Sequence, residues 1–333
     1  MSLKGYIKEN LPWIRSIYRK RLAPINLIHN IYDKPVVVLL YHRVNYLNRD
    51  LFNINVTPDN FERHIRILKN HYNVITFNDL KRNDIKEPSV IITFDDGYYD
   101  NYKYAFPILK KYQVPATIFI TSGGVDTGTE FWWDRLEAVF FENKNLKESI
   151  ELDMIHQRHV FDVSDDKKQL HSFYMLHHML FSLHPDERDM ILDRWYESYE
   201  LKVNSNNRTM TSSELIELYK SQLITLGAHT IHHPALKQIS RKEQIHEIKS
   251  SKLFLENLLD TDIDIFAYPF GHKESFDQVT EQIVRDLGFT YSVSTKRAQL
   301  HSNTNPFSIP RFGIEDWSED EFIRQMKLVW FEN

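Results

Sequence analysis

At 333 residues the chain is long enough for one large domain with an insertion, or for two domains. An apolar fraction of 42%, 13% aromatics and a net charge of -5 describe a globular protein with a sizeable core and give no reason to expect a nucleic-acid partner. The chain has 0 cysteines, which excludes disulfides, thiolate metal sites and cysteine nucleophiles, so any metal must sit on His, Asp or Glu.

No apolar run approaches the roughly 20 residues that span a bilayer. The N-terminus lacks the apolar core and small-residue cleavage site of a signal peptide. These features predict a cytoplasmic chain or one peripheral to the membrane. Residues 1–34 read as a basic helical segment in which Arg15, Arg19, Lys20 and Arg21 stand beside Trp13, Ile14, Ile17, Tyr18 and Leu22. The stretch 4–32 either packs on the domain with its charges solvated or makes peripheral contact with an anionic membrane surface.

Val36 to Tyr41 is a continuous apolar run of strand length that delivers His42 at its C-terminal end. Asn60 to His71 carries Phe61, Ile65 and Leu68 at helical spacing, and Val74 to Phe77 reads as a short strand before a polar turn at Asn83 and Asp84. Ile91 to Phe94 is β-branched or aromatic throughout and runs into Asp95, Asp96 and Gly97. Adjacent carboxylates repel unless a cation or a shared proton intervenes; the other reading is an ordinary Asp-Gly turn. A helix follows over Asn101 to Tyr112 with Pro107 as a kink or late start, then a buried strand over Ala116 to Thr121.

Residues 129–208 change character. Leu, Phe, Tyr, His and alternating charge dominate with few strand signals, which predicts a helical insertion of three or four helices ending in the polar linker Asn204 to Asn207. Alternation resumes with a helix over Thr211 to Gln222 opened by the capping box Thr211 and Glu214, and a strand over Ile224 to Ala228 that ends in His229. Ser240 and Glu243 open a helix whose Ile245, Ile248, Leu255, Leu258 and Leu259 face one side. Ile265 to Tyr268, Tyr291 to Val293 and Ile309 to Phe312 read as strands, Gln278 to Leu287 as a helix, and Ser318 with Glu321 as a last capping box. Residues 35–128 and 209–333 thus form one α/β domain, either an open doubly wound sheet or a barrel. His42, Asp95, Asp96, His229 and Pro269 all fall at C-terminal strand ends, where barrels collect functional groups, and this favours the barrel.

The segment Leu226 to Pro234 reads LGAHTIHHP. His229 and His233 stand four apart, which within one helical turn puts both imidazoles on one face, while His232 points elsewhere and reads as structural or as a support behind the ligands. Two His and one carboxylate make the open three-ligand set of a hydrolytic metal site. Zinc is the default metal for it, and cobalt, nickel or iron suit the same ligands.

TFDDG at Thr93 to Gly97, H-T-x-x-H-P at His229 to Pro234 and YPFG at Tyr268 to Gly271 resemble, in this order, the three principal motifs of the polysaccharide deacetylase family, carbohydrate esterase family 4 with its NodB homology domain. The resemblance implies a distorted (β/α)7 barrel and a metal-dependent hydrolase that removes N-acetyl groups from amino sugars of a surface or cell-wall polysaccharide. It implies Asp95 as general base, Asp96 with His229 and His233 as metal ligands, and water on the metal attacking the acetamide carbonyl. It also implies that the backbone N–H of Phe270 holds the oxyanion, with Tyr268 of the same motif on the substrate side.

The general acid that many members carry as Leu-x-His near the C-terminus has no counterpart; Leu300-His301 has the wrong spacing. Leu40 to Val44 resembles instead the YH motif of circularly permuted members acting on poly-N-acetylglucosamine, which assigns the acid to His42; the alternative is a core His at a strand end. Many members place Arg two residues before the Pro of the third motif, where this chain has Ala267. Arg311 either supplies that guanidinium from the neighbouring strand or forms a surface ion pair. Trp132 and Trp133, in a stretch (FWWDRL) similar to the inserted region of some bacterial deacetylases, either stack on sugar rings or anchor the insertion. Competing functions are a catalytically silent carbohydrate-binding protein, or a deacylase of a non-polymeric or O-acetylated substrate.

Overall fold

The computed structural model describes residues 35–330 apart from 83, 84, 86, 88, 145, 155 and 156. The basic stretch 4–32 and the polar turn at 83–84 lie outside the described residues. In chain order the elements are β1 (Val36–Tyr41), α1 (Pro58–His71), β2 (Asn73–Val74), α2 (Phe77–Lys81), β3 (Ser89–Phe94), a π-helical turn (Asn101–Ala105) continuing into α3 (Phe106–Tyr112), and β4 (Ala116–Ile120). The inserted region holds α4 (Trp132–Phe141), β5 (Ser149–Met154), β6 (Gln157–Asp162), α5 (Asp166–Phe181) and α6 (Pro185–Ser198). The rest comprises α7 (Ser212–Lys220), β7 (Ile224–Ala228), α8 (Arg241–Leu259), β8 (Ile265–Ala267), α9 (Gln278–Asp286), β9 (Tyr291–Val293), β10 (Phe312–Gly313) and α10 (Glu319–Val329).

The main sheet is parallel, in the order β9-β8-β7-β4-β3-β1-β10, with β2 beside the start of β3. It curls until its two edges nearly meet. Ile309 bridges Val293 in parallel, and three residues later Phe312 pairs with Leu39, so the segment 309–313 spans the seam of a distorted barrel. Alternate residues of each strand face opposite ways. Val36 and Val38 pack with Ile91, Phe119, Ile265 and Val293 in one cluster, while Val37, Leu39 and Tyr41 pack with Phe61, Leu109 and other residues of the surrounding helices. Both faces being covered is why the strands read as unbroken apolar runs.

Local chemistry explains where elements stop. The capping boxes at Thr211/Glu214 and Ser240/Glu243 form as the residues suggest. At Ser318 only half of the box forms: the Ser318 hydroxyl takes the Glu321 N–H, while the Glu321 carboxylate turns to Arg324 and Gln325. The strand expected over Val74 to Phe77 is cut to two residues, because Thr76 and Asp79 cap each other and start α2 at Phe77. The insertion holds three helices among the described residues and also a β-hairpin, β5 with β6, that the residue pattern did not announce. Its inward side chains, Ile150, Leu152 and Phe161, are few and set among charges. Among the described residues no helix is long and apolar enough to cross a membrane.

The insertion is joined to the barrel by a buried ion cluster. Arg43 donates through Nε to Asp100 (2.9 Å), through Nη1 to Asp134 of α4 (3.2 Å) and through Nη2 to Asn207 (2.9 Å). Tyr98 donates its hydroxyl to the other oxygen of Asp134 at 2.7 Å. Arg43 is only 3% exposed, so its loss leaves two carboxylates buried without their cation. Arg43→Ala should destabilise the protein by about 3–5 kcal/mol, read as a lower urea midpoint. Burial pushes the Asp134 carboxyl from 3.8 up to about 7, the Arg43 charge and the Tyr98 hydrogen bond opposing it only in part. The folded state therefore holds that proton more tightly than the unfolded chain, and its contribution to stability is lost as pH rises from about 4 to about 7. Asp134→Asn should flatten that part of the stability-pH curve, measured by chemical denaturation at several pH values.

Candidate active site

Strand β3 ends by placing Asp95 and Asp96 in the barrel mouth, each 3% exposed. Adjacent side chains leave a strand on opposite sides, and here the backbone also turns sharply, with φ of 73° at Asp96 and 80° at Gly97. A Cβ at Gly97 would stand 3.0 Å from the Ile120 side chain, so both φ and space call for glycine. Thr230, His233 and Phe270 also adopt left-handed φ, at 64°, 52° and 59°. Such non-glycine residues cost on the order of 1–3 kcal/mol each and gather where function over-determines the backbone.

Asp96, His229 and His233 converge. Asp96 Oδ1 lies 3.4 Å from His229 Nε2 and 3.3 Å from His233 Nε2, and one ligand atom from each residue fits within 4.8 Å of the others. His229 Nδ1 is 2.8 Å from the Ala267 carbonyl, which can only accept, so Nδ1 carries a proton while Nε2 faces Asp96. Burial opposes charge on Asp96, but the His229 hydrogen bond and the nearby imidazoles outweigh it and hold the carboxyl at about 2. Burial lowers His233 to about 3; at His229 it pulls the same way, but contact with Asp96 and Asp95 wins and raises the value. A carboxylate oxygen facing two imidazole nitrogens is a donor set that a divalent cation completes, and the residues fit one.

The two imidazoles do not meet through a helical turn. They lie on a loop after β7 whose shape Glu247 of α8 sets: its carboxylate takes the Ile231 and His232 N–H groups at 2.9 Å each and His232 Nδ1 at 2.7 Å. The loop also lies on Gly123, where a Cβ would come within 2.6 Å of the Ile231 carbonyl. His232 thus faces Glu247, away from the donor set.

Arg311 is 1% exposed and grips Asp95 with both Nη atoms at 2.7 Å. Its Nε donates to the Ser294 carbonyl at 3.0 Å and Nη1 also reaches Thr93 Oγ1 at 3.2 Å, which fixes the guanidinium plane. It is a buried fork, not a surface pair. Burial alone would raise the Asp95 carboxyl, but Arg311 first, then His229, bring it below its ordinary value.

Asp95, Asp96, His229 and His233 line a cavity of about 380 Å³ together with His42, Phe52, Trp133, His177, Phe270 and Thr295. His42 lies near enough to favour the ionised forms of both Asp95 and Asp96, and Asn101 holds its carbonyl at 2.8 Å. Among the described residues no acceptor takes the Phe270 N–H. Two residues named from sequence stand elsewhere. Tyr268 turns away from the cavity: its ring stacks on Phe276 at 3.9 Å, and its hydroxyl donates to the Phe307 carbonyl and accepts from Ser292. Trp132 sits in the core of the insertion with Arg188 over its ring, and Trp133 lines the cavity instead. Neighbours on a helix point about 100° apart, so only one of them can face the site. Trp133 is held there by its Nε1–H to Tyr98 (2.6 Å), with its ring 4.8 Å from His233.

A family model described as polysaccharide deacetylase matches residues 82–150 and 190–292, more than half of the chain. The chain belongs to the polysaccharide deacetylase family. The deacetylase is 42% identical over 307 residues to a Bacillus subtilis (strain 168) protein named for the same family, YxkH, covering 89% of this chain and 79% of that one. It is 26% identical over 310 residues to the poly-beta-1,6-N-acetyl-D-glucosamine N-deacetylase of Staphylococcus aureus (strain MRSA252), covering 88% of this chain and 83% of the relative. Among solved structures it is similar to the Streptococcus pyogenes deacetylase PplD in complex with acetate, at a TM-score of 0.57 and 20% identity, covering 88% and 99% of the two chains. It is also similar to IcaB from Ammonifex degensii, at 0.57 and 17%, covering 90% and 98%. At these identities the two structures bear on the fold, which is the deacetylase's own curled parallel barrel. The stretch 151–189, between the two matched segments, falls inside the insertion.

Glu247 carries no charge to the cavity, yet it shapes the loop that bears both imidazoles. Glu247→Ala should weaken divalent-metal binding by roughly 10–100-fold in competition with a chelator, and Glu247→Gln, which keeps an acceptor, should fall between the two.

Proposed function

We propose that this polysaccharide deacetylase removes N-acetyl groups from amino sugars of a surface or cell-wall polysaccharide by metal-dependent hydrolysis, with poly-N-acetylglucosamine the substrate class its Staphylococcus aureus relative suggests. The observation that carries this reading is the pairing of two unlike carboxylate environments in one cavity. Asp95 is clamped by Arg311, and Asp96 points into the two imidazoles.

Asp96, His229 and His233 would hold a divalent cation, zinc by default. Such an ion, when bound, acts as a Lewis acid on the carbonyl and makes water acidic near neutral pH. Asp95 stays ionised beside Arg311 and takes the proton of the attacking water as its oxygen bonds to the acetamide carbon. The Phe270 N–H, left without a protein acceptor, donates to the oxyanion that develops. As the C–N bond breaks, the amine leaves poorly unless it is protonated, and His42 across the cavity supplies that proton. The products are acetate and a free amino sugar. Trp133 offers an apolar face beside the reacting groups for the sugar ring. A silent carbohydrate binder has no use for a base held by a bidentate guanidinium beside a three-donor set, which argues for catalysis.

Mass spectrometry of the purified protein should find one divalent ion per chain, and the protein should release acetate from N-acetylglucosamine oligomers. Bound metal with no acetate from any glycan would favour the binding function instead. Asp95→Asn should keep the metal and lose at least about 100-fold in kcat. Asp96→Asn should lose the metal itself. Full activity in both variants would remove the assignment of roles.

A further inference from the structure

We propose that His177, carried into the cavity by the insertion, is a specificity-determining residue that hydrogen-bonds a hydroxyl of the sugar ring. The inference rests on the amino-sugar reading above and adds a residue that no motif contains.

Helix α5 turns one stripe toward the barrel mouth. Tyr174, His177 and Phe181 recur at spacings of three and four, which puts them on one face. The Tyr174 hydroxyl donates to the Leu51 carbonyl at 2.9 Å, and the Phe181 ring meets the Phe270 ring edge-on at 4.6 Å and 73°. These two contacts dock the helix on either side of His177. The imidazole itself lies 4.7 Å from both the Trp132 ring, nearly stacked at 29°, and the Phe52 ring. Packing against these rings fixes its plane, and it lines the same cavity as Asp95, Asp96, His229 and His233.

Among the described residues neither ring nitrogen of His177 has a hydrogen-bond partner. Burial first, then the neighbouring His178 and Arg188, lower its value to about 4, so it is neutral at physiological pH. A neutral imidazole offers one N–H donor and one acceptor nitrogen. A sugar hydroxyl offers the same two functions. Among the described residues the candidate metal group is Asp96, His229 and His233, without His177. The chemistry is supplied from strand ends and loops of the barrel, so a polar group that the insertion delivers to the cavity is left to read the substrate. Buried polar groups discriminate strongly, because a substrate lacking the matching hydroxyl leaves them unpaired.

The test compares two substrates on the metal-loaded protein: an N-acetylglucosamine oligomer, and p-nitrophenyl acetate, which has the acyl group without the sugar. His177→Phe keeps a ring between Trp132 and Phe52 and removes both nitrogens. Its kcat/KM should fall roughly 5- to 100-fold on the oligomer and stay within about twofold on the ester. His177→Gln, which keeps a donor and an acceptor, should recover part of the oligomer activity. If His177→Phe does not fold, His177→Ala makes the same comparison without crowding its neighbours. Unchanged oligomer activity, or equal losses on both substrates, overturns the role of His177 alone. Wild-type protein that cleaves the ester but releases acetate from no glycan overturns the amino-sugar reading and this inference with it.

Discussion

Two carboxylates side by side and buried in the barrel mouth are the constraint on which the rest of the structure depends. Asp95 and Asp96 are each 3% exposed and adjacent, so each raises the cost of the other's charge. The fold separates them by partner. Asp95 meets a guanidinium from 216 residues further along the chain, and Asp96 meets two imidazoles. Because Arg311 lies on the segment that bridges the seam of the barrel, Asp95 acquires its partner only when the sheet closes. Site assembly is therefore tied to the longest-range contacts of the fold, which are the slowest to form and carry the largest loop-closure cost.

A second buried charge cluster does for the insertion side of the cavity what Arg311 does for Asp95. Arg43 follows His42 directly, and its three donors reach Asp100, Asp134 and Asn207. Asp134 in turn takes the Tyr98 hydroxyl, which takes the Trp133 indole. Asp100 also accepts from Asn101, whose amide holds the His42 carbonyl. One hydrogen-bonded set thus runs from the backbone of the candidate acid to the apolar wall of the cavity. Movement of the insertion relative to the barrel would disturb both ends together. Such a set rigidifies where its members are paired, as each charged group in it is, since in a low dielectric an unpaired one is costly.

Sequence reading was strongest where the chemistry is contiguous. The Asp pair at a strand end, the His-rich loop and the third motif could be read because strand and functional group are neighbours in the chain. It was weaker where a side chain's direction depends on packing. The spacing of His229 and His233 suggested a helical turn, whereas the loop is set by Glu247, and nothing local to the loop names a carboxylate on α8 as its organiser. Trp132 and Trp133 are both aromatic, so no polar-apolar contrast told which one faces the cavity. Tyr268 belongs to a catalytic motif but leaves its strand toward Phe276 and Phe307. The β-hairpin leaves no sequence signal because its buried residues are too sparse among charges to set up a period. His177 had no sequence signal, since a His on an amphipathic helix is ordinary until the helix is docked.

Ala267, where the resemblance of the third motif leads one to expect Arg, shows how the same electrostatic need is met by a different route. The residue is fully buried and packs with Val293 and Ile309, and its carbonyl holds the His229 proton. A guanidinium stem at this position would have to share that apolar space, and shifting the backbone would disturb the tautomer of a candidate metal ligand. Arg311 enters from the seam instead, where the Ser294 carbonyl and the Thr93 hydroxyl take two of the three N–H donors that Asp95 leaves. The backbone of one strand thus orients the imidazole, and a side chain beside another orients Asp95. Neither function has to be traded against the other. Because Arg311 is locked by three separate acceptors, its freedom is already lost on folding, and holding Asp95 in place requires no further ordering when substrate arrives.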